Sequence, residues 1–238
     1  MKIIALDSSG LVASAAYLED GKIKGNLNTN YQKTHSQTLL PMLDELVKTL
    51  DIDLESVDCI AVANGPGSFT GLRIGVATAK GLGMGLGKKV VPVSTLEALS
   101  LNWYKADGIV CPIMDARRSQ VYAAAYKFDG ESVKGRELIE PVNCDISELI
   151  DRLNELGEKV YFTGDGVPVY KDKIAESLKT GYELPIATNA YQNAGNLAVL
   201  AEYYANEDGA IDAKDVSPVY LRKPQAERER EEMQSVSN

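Results

Sequence analysis

A glycine-rich segment between a predicted strand and a predicted helix is the first candidate for chemistry in this sequence. It reads NGPGSFTGLRIG over residues 64–75. A strand, a glycine-rich loop and a helix N-terminus together form an anion-binding geometry, because backbone N–H groups and the positive end of the helix dipole point at the loop. A phosphate-binding loop, a dinucleotide-binding fingerprint and a nucleophile elbow are the three motifs to check.

Each of these motifs lacks a residue that it needs. A Walker A loop has lysine directly after its last glycine, and here Gly71 is followed by Leu72. The dinucleotide fingerprint has Thr70 in place of its third glycine, and the next predicted strand ends at Ser94 without an acidic residue for the ribose. A nucleophile elbow at Ser68 lacks both flanking glycines. A Rossmann-type nucleotide enzyme remains one alternative, which calorimetry with NAD or NADP would test.

Histidine and cysteine content restricts metal and nucleophilic chemistry further. The chain has one histidine, His35, which excludes a multi-histidine metal site and leaves a Ser-His-Asp hydrolase a single possible base. Its three cysteines are far apart and show no CxxC spacing. We therefore expect no metal site, and we expect Cys59 and Cys111, which lie in apolar runs, to be buried.

Charge and hydropathy indicate where the protein acts. The 238 residues include 25 Lys and Arg against 34 Asp and Glu, for a formal net charge of −9. An acidic chain is a poor solo partner for nucleic acid, whose binding depends on neutralising phosphates. The apolar opening is too short for a signal peptide, and no run reaches the roughly 20 apolar residues of a membrane span. We expect a cytoplasmic protein with no membrane contact.

The first half of the chain has the pattern βββαβαβα. An Asp20-Gly21 pair predicts a tight turn between two strands. Thr34 and Gln37 fit a capping box, and Pro41 predicts a bend or a later start in the helix that follows. The predicted strands are 2–6, 11–18, 22–28, 59–63 and 90–94, and the predicted helices are 36–50, 71–86 and 95–104.

The same order recurs from residue 109, with a second Asp-Gly turn at Asp129-Gly130. Strands are predicted at 109–115, 121–128, 132–139 and 160–164, and helices at 145–156, 168–178 and 191–206. The motif Ala-Ala-Tyr-x-x-Asp-Gly occurs at both 15–21 and 124–130, which favours a duplication. We predict an N-terminal lobe over 1–106, a C-terminal lobe over 107–215 and a C-terminal tail over 216–238. The charged end of the tail, AEREREEMQSVSN, is expected to be solvated, with contact to a partner as the alternative.

A duplicated lobe whose first strand ends in an aspartate resembles the actin, hexokinase and Hsp70 superfamily. The resemblance implies an α/β fold of two facing lobes, whose hairpins hold nucleotide phosphates and a metal anchored by aspartate. Asp7, Ser8 and Asp115 would line that cleft, but Asp7-Ser8-Ser9-Gly10 and Asp115-Ala116-Arg117-Arg118 lack the glycine content of active phosphate loops. We expect a vestigial cleft and a degenerate second lobe. An active ATPase or kinase that uses Asp7 and Asp115 remains the alternative, as does a simple strand-capping role for both.

Small residues recur every fourth position along the helix at 71–86. Gly71, Gly75, Ala79, Gly83 and Gly87 form this row. Glycine inside a helix costs about 0.5–1 kcal/mol relative to alanine, so the row needs a compensating contact. Either the lobe's own sheet or a helix of a partner could supply it.

Six segments together resemble the bacterial TsaB (YeaZ) family. They are IIALDSS, HSQTLLPMLDELV, NGPGSFTGLRIG, VVPVSTLEAL, MDARRSQVY and, near the C-terminus, VYLRK. The resemblance is collinear from residue 3 to about residue 122 and loose between about 130 and 215. It implies a non-catalytic dimerisation subunit of the complex that makes threonylcarbamoyladenosine at position 37 of tRNAs reading codons that begin with A.

The resemblance also implies the partners. They are the metal-bearing paralogue TsaD, the small ATPase TsaE and, only through the complex, tRNA; the subunit has no cofactor of its own, and any nucleotide would be held jointly with a partner. The helices at 36–50 and 71–86 are implied to pack against the paralogue. We further expect the same surface to pair with a second copy when the chain is alone, so that Leu43→Glu should disrupt both dimers. The expected interface residues are His35, Leu39, Leu43, Leu46, Leu50, Thr70, Leu72, Arg73, Gly75, Val76 and Ala79.

Overall fold

The first half of the chain folds around one five-stranded sheet. The computed structural model describes residues 1–31 and 34–222. The sheet has the order β3-β2-β1-β4-β5, with β1 antiparallel to β2 and parallel to β4. Its elements are β1 Lys2–Asp7, β2 Ala13–Glu19, β3 Lys22–Thr29, α1 His35–Thr49, β4 Cys59–Gly65, α2 Phe69–Leu86, β5 Lys89–Ser94 and α3 Thr95–Ser100.

The second half builds a second sheet with the same connectivity. Its order is β10-β9-β6-β7-β8. The pairs β6–β7 and β7–β8 are antiparallel, and the pairs β6–β9 and β9–β10 are parallel. The repeated order confirms the predicted two-lobed, actin-like α/β fold. The elements are β6 Ile109–Asp115, β7 Gln120–Lys127, β8 Arg136–Asp145, α4 Ile146–Leu156, β9 Val160–Thr163, α5 Val167–Ser177, β10 Tyr182–Glu183 and α6 Ala194–Asn206.

The apolar run of β1 is continuous because helices cover both faces of the first sheet. Ile4 and Leu6 pack in the cluster that contains α1 and α2, whereas Ile3 and Ala5, on the opposite face, pack in the cluster that contains α6. Alternate residues of a strand point to opposite faces, so both sets must be apolar.

The structure places α6 differently from the sequence prediction. The duplicated order put this helix in the C-terminal lobe, but Leu197 and Leu200 are fully buried among β1, β2 and β5 side chains of the first lobe. The chain therefore returns to the first lobe after β10. The predicted division at residues 106 and 107 remains a prediction, and the part of the tail beyond Arg222 lies outside the described residues.

The two predicted Asp-Gly turns have different outcomes. Asp20 and Gly21 have φ values of 50° and 71°, as a tight hairpin with two left-handed central residues requires, so the first is confirmed. The second is wrong as a tight turn: β7 ends at Lys127 and β8 begins at Arg136, with residues 128–135 between them. There the Asp129 carboxylate accepts hydrogen bonds from the backbone N–H groups of Glu131 and Ser132.

Helix α1 starts where its cap predicts, although the capping box is absent. Thr34 is the N-cap, but its side chain makes no capping hydrogen bond; the Gln37 N–H donates to the Thr34 carbonyl at 2.9 Å. Pro41 lies inside the helix, which neither ends nor starts there. The burial of Leu39, Leu43 and Leu46 on one side stabilises the helix despite the hydrogen bond that proline removes.

All three cysteines are buried thiols. Cys59 and Cys111 lie in strands with little or no exposure, which confirms the expectation for them, and Cys144 is buried as well. Burial raises the pKa of Cys59 to about 12 and that of Cys144 to about 11, so neither is a thiolate near neutral pH.

Candidate functional site

A cleft of about 820 Å³ opens between the two lobes. The first lobe contributes the hairpin after β1 and the N-terminus of α2, and the second contributes the hairpin after β6 and the loop before α5. Its wall includes Ser9, Gly10, His35, Gly67, Ser68, Thr70, Asp115, Arg117, Asp165, Tyr220 and Arg222. Asp115 lines it, whereas Asp7 and Ser8 lie behind the wall, each 1% exposed.

Asp7 caps the turn that follows β1. One carboxylate oxygen accepts hydrogen bonds from the Ser9 backbone N–H at 2.8 Å and from the Ser9 hydroxyl at 2.6 Å. Burial raises the pKa of Asp7, and the two bonds from Ser9 oppose that effect. The carboxylate therefore stabilises the turn, and it is not exposed to a ligand in the cleft.

Asp115 occupies the equivalent place in the second lobe. Its oxygen Oδ1 accepts from the Arg117 backbone N–H at 2.9 Å, as Asp7 does from Ser9, and also from the Tyr170 hydroxyl at 2.9 Å. The two aspartates thus make the same turn-capping bond two residues on, which is the strand-capping role left open by the sequence.

A second carboxylate in the cleft, Asp165, was missed by the sequence reasoning. It follows β9, and its Oδ1 accepts from the Asp115 backbone N–H at 3.1 Å. Burial raises the pKa of Asp165 to about 6, and the negative charge of Asp115 adds to the shift. The signal for it in the sequence is Gly164-Asp165-Gly166, which lies at the end of β9 as Gly65-Pro66-Gly67 lies at the end of β4.

Asp165→Asn should stabilise the protein in a pH-dependent way. Because the folded pKa of about 6 exceeds the ordinary 3.8, the folded protein binds the proton more tightly, and ionisation costs stability as pH rises from roughly 4 to 6. Asparagine keeps the acceptor without the charge, so the melting temperature should rise by roughly 2–4 °C at pH 7.5 and stay unchanged at pH 4. Asp172→Asn, at an exposed site on α5, is the control; an equal gain at both pH values would contradict the assignment.

The glycine loop packs against the first hairpin. A Cβ atom added at Gly67 would overlap the Ser9 carbonyl oxygen, and one at Gly71 would overlap that of Ser8. The Ser68 backbone N–H donates to the Ser9 carbonyl at 2.7 Å, and the Ser68 hydroxyl accepts from the Gly71 N–H as the N-cap of α2. These glycines therefore permit close contact between two backbone segments, and Ser68 is engaged in capping.

The predicted row of small residues faces the lobe's own interior. Gly71, Gly75, Ala79 and Gly83 are all buried, and Gly87 ends the helix in a left-handed conformation. Gly75 lies against the Ser8 side chain and Gly83 against Ala213. Of the two explanations left open by the sequence, packing within the lobe accounts for this row.

Most of the predicted interface residues are also part of the core. The exposed fraction of their side chains is 4% or less, which leaves almost no surface for a partner: Leu39, Leu43, Leu46, Leu72, Val76 and Ala79. Leu50 packs partly buried against the same cluster. Thr70 and Arg73 are exposed, so the surface available to a partner lies on the other side of α2.

A second row at spacing four lies on that other side. We call the exposed residues Thr70, Arg73, Ala77, Gly81, Met84 and Gly85 the outer face of α2. Apart from the adjoining residues and backbone of α2 itself, no atom of the described chain lies within 4 Å of a Cβ placed at Gly81 or Gly85. Met84 is 63% exposed, and Leu40 on the neighbouring α1 is 54% exposed. This combination of apolar side chains and bare helix backbone has no role inside the lobe.

His35 ties α1 to the first hairpin. Its Nε2 lies 2.8 Å from the Gly10 carbonyl oxygen, and the side chain is partly buried at the cleft. Among residues 1–31 and 34–222, no three His, Cys, Asp or Glu side chains are grouped so that they could hold a metal ion. None of the described helices is both long enough and apolar enough to cross a membrane.

Comparison with known proteins gives a consistent set of relatives. A protein-family model described as TsaD, tRNA N6-adenosine threonylcarbamoyltransferase, matches residues 22–230. The tRNA threonylcarbamoyladenosine biosynthesis protein TsaB of Bacillus subtilis (strain 168) is 32% identical over 227 residues, which cover 95% of this chain and 96% of the relative. That of Haemophilus influenzae is 32% identical over 231 residues, covering 93% and 94%. The similarity therefore extends through the region where the motifs are loose.

Two solved structures from Pseudomonas aeruginosa share the fold. One, described as an uncharacterized protein with similarity to peptidase YEAZ, superposes with a TM-score of 0.79 at 26% identity and covers 93% of this chain and 99% of its own. The other, YeaZ, has a TM-score of 0.75 at 26% identity, covering 92% and 99%. Both lobes are thus part of the shared architecture.

Proposed function

The chain belongs to the TsaB family of tRNA threonylcarbamoyladenosine biosynthesis proteins, and from this premise we propose that it is a non-catalytic subunit that binds a TsaD-type transferase through the outer face of α2. The observation that carries the proposal is the pair of exposed glycines, Gly81 and Gly85. Each costs about 1 kcal/mol relative to alanine in a helix interior. Nothing in the described chain uses the space that they leave, whereas a partner helix could approach closely there.

Exposed apolar side chains on α1 and α2 would stabilise the complex. Met84 and Leu40 expose large side chains, and burying each fully contributes about 1.5–3 kcal/mol before the cost of association. A few such contacts suffice for a stable dimer. The same surface would pair with a second copy of the chain when the transferase is absent.

Arg73 supplies a positioned charge at one end of this face. Its guanidinium carbon lies 3.9 Å from the centroid of the Phe69 ring, and its Nε donates to the Tyr220 hydroxyl at 3.3 Å. Because both contacts hold the side chain in place, less conformational entropy is lost when it pairs with a carboxylate of the partner.

The bonding of the two aspartates at the cleft favours a non-catalytic role for this chain. The Asp7 carboxylate is buried and bonded to Ser9, and the Asp115 carboxylate caps its own hairpin. Transfer to the adenosine would belong to the partner, and we propose that tRNA and a TsaE-type ATPase meet this chain only in the complex. A net charge of −9 fits that division, with the basic tRNA surface on another subunit. Any nucleotide would be bound jointly with a partner. We propose that the complex acts in the cytoplasm.

Reconstituted tRNA modification tests the proposal. A TsaD-type transferase, threonylcarbamoyl-adenylate and tRNA are incubated with wild-type chain, with Met84→Glu or without the chain, and threonylcarbamoyladenosine is measured. We expect the chain to be required and Met84→Glu to lower the rate at least tenfold at limiting subunit concentration. Ile186→Glu, which also replaces an exposed apolar side chain, is the control. Equal rates for the two variants would exclude the outer face of α2 as the docking surface.

ATP turnover by the isolated chain tests the alternative of an active ATPase or kinase. We expect no turnover above that of buffer. Robust hydrolysis that Asp7→Ala abolishes would instead assign catalysis to this chain.

A further inference from the structure

The last described residues of the chain run along α2 and then cross the cleft. Ile211 pairs with Val90 of β5, and Ala213 fills the space beside Gly83 near the C-terminal end of α2. The backbone then reaches the glycine loop, where the Val219 N–H donates to the Asn64 carbonyl at 2.7 Å. We call residues 216–222 the C-terminal strap.

The strap is anchored to the first lobe at the N-terminus of α2. The Val219 carbonyl oxygen occupies the position of a side chain at Gly65, whose φ of 133° also favours glycine. The ring centroids of Tyr220 and Phe69 are 4.8 Å apart, and Tyr220 accepts the hydrogen bond from Arg73 on the outer face of α2. The strap thus contacts the surface proposed for docking.

The other end of the strap contacts the second lobe. The Arg222 Nη1 donates to the Ala116 carbonyl at 2.8 Å, across the cleft that both residues line. This bond ends in the hairpin that joins β6 to β7.

That hairpin has an unusual backbone conformation. Arg117, Arg118 and Ser119 have φ values of 63°, 56° and 60°, three consecutive left-handed residues without a glycine among them. Such conformations are strained for residues with a Cβ atom and persist where surrounding contacts hold them. Among the described residues, five hydrogen bonds hold the hairpin: the Arg117 N–H to Asp115, the Ala116 N–H to the Gln120 carbonyl, the Gln120 N–H to the Arg117 carbonyl, the Ile146 N–H to the Ser119 carbonyl, and the bond from Arg222. Of these, only the bond from Arg222 comes from the first lobe's side of the cleft.

We propose that the strap is a latch between the lobes, in which Tyr220 anchors the first lobe and Arg222 holds the hairpin at 116–119 in its strained conformation. Releasing the latch lets the hairpin relax and the cleft widen. A further consequence rests on the proposed function: because Tyr220 also positions Arg73, a partner bound to the outer face of α2 stabilises the latched state.

Hydrogen exchange on the full chain tests the latch without any partner. The readout is the exchange rate of the backbone amides at 116–120. Arg222→Ala and Tyr220→Ala should each accelerate it at least fivefold, whereas Tyr220→Phe, which keeps the ring contact, and Lys214→Ala, upstream on the same segment, should leave it unchanged. Each variant's melting temperature is measured alongside, so that global unfolding is recognised. Unchanged exchange in Arg222→Ala would overturn the latch.

A second comparison separates the latch from docking. Adding a TsaD-type partner should slow exchange at 116–120 in the wild type but not in Arg222→Ala. Slower exchange on α2 alone would disprove the link between docking and the latch. If no variant binds the partner, the proposed docking fails, and exchange in the free chain still decides the latch.

Discussion

Gly71→Ala is expected to destabilise the protein by about 2–3 kcal/mol or more, although alanine is the better helix former. The added Cβ would overlap the Ser8 carbonyl oxygen and approach the Ser68 Cβ to 3.3 Å. The Ser8 carbonyl belongs to backbone between β1 and β2, so the clash cannot be relieved by rotating a side chain. Urea unfolding followed by circular dichroism measures the loss in the free energy of unfolding.

Gly81→Ala is the matched control, because it makes the same change in the same helix. Its Cβ meets open space, so the free energy of unfolding should rise by about 1 kcal/mol. If docking uses this bare backbone, the more stable variant should bind the transferase less tightly. Equal and small effects of both substitutions on stability would show that Gly71 is not in close contact with the hairpin.

These two glycines also show what the sequence could and could not predict. Small residues at spacing four predict a packing row, and short apolar runs and apolar residues at helical spacing predict most of the strands and helices. However, α2 has small residues on two sides, one row through Gly71 and Gly75 and another through Ala77 and Gly81. Only the position of Ser8 beneath the helix decides which row faces the core.

The contacts that the sequence could not predict join residues far apart in the chain. Tyr220 packs on Phe69, Arg222 bonds to Ala116, and α6 returns to the first sheet. Periodicity reports which face of one element is apolar but not which other element covers it. Asp165 could have been predicted as a cleft residue from the sequence, because the duplication, extended to the loop after β9, aligns that loop with the glycine loop.

The leucines of α1 separate folding from docking in the same way. Leu43 is 3% exposed within the core of the first lobe, whereas Leu40, one turn earlier, is 54% exposed. Leu43→Glu, which the sequence suggested as a test of dimerisation, would bury an unpaired carboxylate and leave the leucine site unfilled. Deleting a buried leucine alone costs about 2–5 kcal/mol, and the buried charge adds to that.

We therefore expect Leu43→Glu to lower the melting temperature by more than about 8 °C or to prevent folding, and Leu40→Glu to change it by no more than about 2 °C. Size-exclusion chromatography with the transferase then compares binding: Leu40→Glu should elute as free chain where the wild type forms a complex. Leu40→Gln, similar in size but uncharged, should bind more weakly than the wild type yet better than Leu40→Glu, since a partly apolar contact remains. A Leu43→Glu chain with the wild-type melting temperature would show that α1 presents Leu43 outward, and undiminished binding by Leu40→Glu would exclude α1 from the docking surface.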